Sequence, residues 1–136
     1  MIKDVQTREE FDQVLGEHGH VIVDFWAKWC GPCRVMGEVL QQVEKRHGKS
    51  LVIVKINMDK VDINLLAKSH GFIRGITAIP TLAFFKNGKL VSKDMGDGKG
   101  IHVGLLSLDA MNDLLEKIGF TGAGKSRQPS GGAASA

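Results

Sequence analysis

Apolar positions recur with two different spacings along this chain, and the spacing changes often. In TREEFDQVL, Thr7 to Leu15, the residues Phe11, Val14 and Leu15 share one helical face. Thr7 and Glu10 ahead of them have the T-x-x-E form of a capping box. HVIVDFW, His20 to Trp26, is a β-rich apolar run broken by one acid, Asp24. A helix is expected to open near Cys30, run to about Arg46 and end before Gly48. LVIVKINM, Leu51 to Met58, reads as a second apolar strand, and Ile63 to Ser69 as a short helix ended by Gly71. Thr81–Phe85 and Leu90–Ser92 flank Asn87-Gly88, a strong hairpin signal. Ser107 can cap a last helix that turns Leu108, Met111, Leu114, Leu115 and Ile118 inward.

Strand 20–26, helix 30–46 and strand 51–58 form a βαβ unit, whose crossover is right-handed and whose strands are parallel. Adding the hairpin gives an α/β fold, a mixed central sheet with helices on both faces. The globular part is expected over residues 1–118. Residues 119–136, GFTGAGKSRQPSGGAASA, have no large apolar side chain after Phe120. Such a segment buries too little to offset its ordering entropy, which predicts a flexible low-complexity tail.

Length and composition narrow the classes. The 136 residues suit one domain, and 43% apolar content suffices for a core. There is no apolar run of membrane-spanning length and no signal-peptide pattern in MIKDVQT, so a soluble cytoplasmic protein is expected. A net charge of +3 without a basic stripe gives no support to nucleic-acid binding.

The chemistry concentrates in WCGPC, Trp29 to Cys33. The two cysteines are too close in sequence to staple distant loops. They sit where a strand turns into a helix, and unpaired N–H groups at a helix N-terminus favour a thiolate. Cys30 is expected to be the exposed, cap-like residue, with Cys33 one turn in and more buried. Pro32 suits the first turn, where no N–H donor is needed. Two other readings stay open at this point. The pair could be half of a zinc site, although zinc needs four ligands and no second CxxC or H-x(3–5)-H exists here. It could also be a structural pair. Asp24, inside an apolar strand, is either buried with a raised pKa or solvated at an edge.

VDFWAKWCGPC resembles the active-site strand and motif of the thioredoxin family. So do KINMD at 55–59, IPT at 79–81 and FFKNGKLV at 84–91, in family order and over roughly residues 2–118. The resemblance implies the thioredoxin fold and a protein disulfide reductase without a cofactor. It implies disulfide-bearing protein substrates, regeneration by a thioredoxin reductase, and a monomer that engages neither membrane nor nucleic acid. Cys30 would attack, Cys33 would resolve, and Asp24 would serve as acid/base for the buried thiol, with Lys55 approaching it. Trp29, Gly31 and Pro32 would support the site, while Trp26 reads as a plain core or surface residue. An X–Pro bond is trans by default, but the resemblance makes Ile79–Pro80 cis and facing the cysteines. The Ile79 backbone would then pair with substrate like an added strand. Gly96 would admit substrate on the other side. Isomerases and oxidants of this fold typically carry His between the cysteines, so Gly31-Pro32 favours a reductase over them. A binding module or holdase that uses the groove without redox turnover is the non-enzyme alternative.

Four features depart from the family or compete with it. Glu38 stands where a helix-kinking Pro is usual, beside Gly37. GFIRGITAIPT lengthens the segment before Pro80 by about four residues on family spacing, over 72–79. DGKGIHVG, 97–104, reads as an inserted glycine-rich loop before the last helix. Finally, GFTGAGKS, Gly119 to Ser126, matches the P-loop pattern but lacks the helix that must follow it, so the match is read as accidental.

Overall fold

A computed structural model describes residues 1–120 of the chain. The elements are β1 (Ile2–Asp4), α1 (Arg8–Glu17), β2 (His20–Trp26), α2 (Gly31–His47), β3 (Val52–Asn57), α3 (Ile63–Ser69), β4 (Thr81–Lys86), β5 (Lys89–Leu90), β6 (Ile101–Val103) and α4 (Leu108–Lys117). Short 3-10 turns span Gly48–Ser50 and Gly71–Gly75. One sheet holds all six strands in the order β1-β3-β2-β4-β5, with β6 also paired to β4. β1, β3 and β2 run parallel. β4 is antiparallel to β2, β5 and β6, which completes the expected mixed sheet.

Successive strand residues point to opposite faces. Val21, Val23 and Phe25, with Val54 and Ile56, meet Phe11 and Leu66 on one side. Ile22, Ile53, Leu82 and Phe84 meet Met36, Leu40 and Met111 on the other. Burial on both faces explains why β2 reads as a continuous apolar run rather than an alternating one.

The helix ends follow local chemistry. Thr7 and Glu10 form both halves of the capping box, Cys30 caps α2, and Gly48 ends α2 at φ 57°. Asp62 caps α3 and Ser107 caps α4. Glu38 and Gly37 lie within α2, which is one unbroken helix.

Three expectations change. The packed unit extends past residue 118, because Phe120 is fully buried and its ring stacks 4.5 Å from that of His20. Residues 121–136, and with them most of the P-loop-like string, lie outside the described residues. Second, the long segment before Pro80 is partly ordered structure, a 3-10 turn that buries Ile73 in the core.

Third, residues 97–104 are not a loop throughout, since 101–103 form β6. β5 and β6 lie along the same edge of β4. The Val91 N–H donates to the Phe84 carbonyl at 2.8 Å, and the Phe84 N–H donates to the Gly100 carbonyl at 2.9 Å. In an unbroken antiparallel strand one residue would make both bonds. The chain therefore leaves the sheet after Val91 and re-enters at Gly100, so the excursion begins earlier than the expected loop. Its tip is tied down: Met95 is buried, the Gly100 N–H bonds the Lys93 carbonyl, and Asp97 accepts from the Val103 N–H at 2.7 Å.

Candidate active site

The parallel core delivers the cysteines to one end of the sheet. β2 ends at Trp26, three residues turn the chain, and Cys30 becomes the N-cap of α2, with Gly31 and Pro32 opening its first turn. Cys30 and Cys33 form a disulfide with Cα atoms 5.2 Å apart. The Cys33 backbone N–H also donates to Cys30 Sγ at 3.1 Å. This hydrogen bond and the helix N-terminus both favour negative charge on that sulfur.

Both cysteines are buried, and Cys30 is the more accessible of the two, as expected, though it is far from exposed. It is 5% accessible and Cys33 is 2%. Trp26 and Ile79 pack against the two cysteines and Ala27. What is exposed is Trp29, at 70%.

The second wall comes from the segment ahead of β4. The Ile79–Pro80 peptide is cis, and the Ile79 carbonyl lies 3.8 Å from Cys30 Sγ. Thr81 begins β4 directly after and pairs with Val103 of β6. Gly104, at φ 97°, donates its N–H to the Pro80 carbonyl at 2.8 Å, and no heavy atom lies within 4 Å of where its Cβ would be. Gly96 is elsewhere. Its N–H is bonded to Asp94, and a Cβ there would meet His102 at 3.0 Å. The glycine beside Pro80 is thus Gly104. Sequence spacing missed it because the excursion was placed too late in the chain. The available signal was its position directly before the Ser107-capped helix. Val103 and the neighbouring Leu105 are exposed apolar residues beside it.

Two residues before the end of β2 lies Asp24, with no accessible surface. Neither of its oxygens has a hydrogen-bond partner among the described residues. Burial pushes its carboxyl from 3.8 up to about 6, and the Lys55 ammonium pulls partly the other way. Lys55 Nζ is 3.8 Å from Asp24 Oδ2 and lies over the Trp26 ring, 4.7 Å from its centroid. The reading of Asp24 as a solvated edge acid is therefore wrong. Trp26 also has more to do than fill the core: it holds a cation beside that acid. Sequence offered no signal for this, since the contact depends on the register that sets Asp24 opposite Lys55.

Among the described residues no group of three or more His, Cys, Asp or Glu side chains could hold a metal ion. None of the described helices is long and apolar enough to cross a membrane. The arrangement suits two-electron exchange between a vicinal cysteine pair and an incoming disulfide.

Comparison with known proteins points the same way. The family profile described as Thioredoxin matches residues 3–103. The thioredoxin of Listeria monocytogenes is 38% identical over 96 residues, which is 71% of this chain and 85% of that protein. The thioredoxin of Buchnera aphidicola is 40% identical over 102 residues, 75% of this chain and 81% of that one. Among solved structures, a point mutant of the thioredoxin from Halobacterium salinarum superposes with a TM-score of 0.67 at 30% identity, covering 86% of this chain and 89% of that chain. Plasmodium falciparum thioredoxin gives 0.65 at 31% identity, covering 85% and 97%.

Proposed function

The chain belongs to the thioredoxin family, and from that premise we propose how its residues divide the work of a protein disulfide reductase. Membership makes it a thioredoxin-type thiol–disulfide oxidoreductase. The division of roles rests chiefly on one observation: the Cys30 sulfur sits at the start of α2 and faces the Ile79 carbonyl beside Pro80.

A substrate polypeptide lies against the Ile79 backbone, between Trp29 on one side and Val103, Gly104 and Leu105 on the other. The Cys30 thiolate attacks one sulfur of the substrate disulfide and expels the other as a thiolate. Cys33 then gives its proton to Asp24, attacks Cys30 Sγ and releases the second substrate sulfur. The substrate gains two electrons, and the enzyme is left as the Cys30–Cys33 disulfide. Lys55 moderates the basicity of Asp24, while Gly31 and Pro32 start the helix without competing for the N–H groups at its end. A thioredoxin reductase returns the pair to the dithiol. The protein works as a cytoplasmic monomer on disulfide-bearing proteins and needs no bound cofactor.

Cys33→Ser tests the roles. With the resolving thiol removed, a Cys30-linked mixed disulfide with substrate accumulates on a non-reducing gel, and turnover stops. If adducts form only in a Cys30→Ser variant, the roles are reversed.

A further inference from the structure

The departure at Gly37-Glu38 has a counterpart in the structure. Gly37 lies one turn beyond Cys33 on α2, on the same face. Together with Cys33, Trp26, Glu38 and Lys55 it lines a cleft of about 260 Å³, which has room for several waters. An ideal Cβ on Gly37 would lie 3.6 Å from Lys55 Nζ, so the ammonium occupies space next to the helix that a larger side chain would take. Lys55 is the one cationic side chain within 4 Å of the Asp24 carboxylate among the described residues. Asp24 is otherwise sealed, with both oxygens unpartnered by protein, and a buried carboxyl in that state needs a hydrogen-bonding neighbour.

We propose that Gly37 is a positioning residue for the resolving step. Bearing no side chain, it keeps the Lys55 ammonium in the cleft, 3.8 Å from Asp24, and so holds open a hydrated route past Lys55 from Asp24 to solvent. The proton that Asp24 takes from Cys33 Sγ leaves by this route, and Asp24 is restored as a carboxylate for the next cycle. The electrons move only between sulfurs: Cys33 Sγ bonds to Cys30 Sγ as the Cys30–substrate S–S bond breaks. The charged groups around Lys55 are Asp24 on β2, Arg34 and Glu38 on α2, and Asp4 and Lys60, which share a neighbouring cleft with it. Removing or displacing Lys55 therefore changes one cation among charges of both signs. This inference rests on the role given to Asp24 and Lys55 above.

The test uses the reduced full-length protein and an aromatic disulfide that releases a coloured thiol, dithionitrobenzoate. Stopped-flow absorbance then separates the first thiol released by Cys30 attack from the second released by Cys33. Gly37→Val is expected to leave the first phase within about twofold and to slow the second by about tenfold or more at neutral pH. Gly37→Ala, whose Cβ makes only ordinary contact with Lys55, leaves both phases near wild type. Gly37→Met, a better helix former, replaces the valine variant if that one fails to fold. In a Lys55→Met background the valine substitution adds no further slowing. The proposal is overturned if Gly37→Val resolves at the wild-type rate, or if it slows resolution equally with and without Lys55, which would mark a packing effect. If Lys55→Met and Asp24→Asn themselves leave the second phase unchanged, the assigned roles of those residues fail instead.

Discussion

The two edges of β4 are built by opposite means. Along one edge β2 pairs without interruption from His20↔Lys86 to Phe25↔Thr81. Along the other, two short strands share the work, and the chain leaves the sheet between them, opposite Phe84. The first edge is held by a row of side chains buried on both faces. The second is held by backbone hydrogen bonds, a buried Met95 and glycines in conformations closed to other residues. Both edges meet at the active site: β2 leads to the cysteines, and β6 leads to Gly104 beside Pro80. The cysteines follow from the continuous edge, whereas the excursion packs on itself through Lys93, Met95, Gly98 and Gly100.

If that contrast is right, the largest single losses of stability come from the continuous edge. Phe25 is fully buried at the Pro80 end of β2, and Phe25→Ala is expected to cost about 3–5 kcal/mol in chemical denaturation.

Asp24 is the polar exception on the same strand, and its effect has the opposite sign. Its folded pKa, about 6, lies above the ordinary 3.8, so ionising it in the folded state is unfavourable. The stability conferred by the neutral form is fully present below about pH 4 and is lost as pH rises through about 6. Asp24→Asn should therefore stabilise the protein by about 2–3 kcal/mol above pH 7 and leave it nearly unchanged at pH 4. Denaturation curves across that range give the comparison directly. A variant less stable than wild type at high pH would mean the ion pair with Lys55 outweighs burial.

A third substitution probes the interrupted edge. Gly100 has φ 73°, and a Cβ there would meet Leu90 Cγ and the Val91 carbonyl at 2.7 Å. Gly100→Ala should cost about 2 kcal/mol by forcing the two ends of the excursion apart. Its effect on disulfide reduction should be small, since the cysteines depend on β2. A large loss of activity at unchanged stability would show that the excursion takes part in the chemistry.

The two edges also differ in how legible they were from sequence. β2, α2 and β3 could be read because burial on both faces writes long apolar runs, and because capping residues and Gly48 mark the helix ends. The hairpin was legible through Asn87-Gly88, whose left-handed backbone few other pairs adopt. β1 and β6, three residues each, are too short to show a period. β6 was also masked by the glycines around it, which read as loop. In the site, Cys30, Cys33, Asp24 and the Ile79–Pro80 step could be named from the motif. The burial of Cys30, the use of Trp26 as a seat for Lys55, and the exchange of Gly96 for Gly104 could not. Each of those depends on contacts between segments distant in the chain.

The most direct test of the account is the reduction potential of the Cys30–Cys33 couple, measured by equilibration with dithiothreitol or glutathione buffers. The account predicts a value near that of thioredoxin itself, about −270 mV, as expected of a reductase. A value of about −180 mV or higher would contradict it, because the pair would then be built to donate disulfides rather than to remove them.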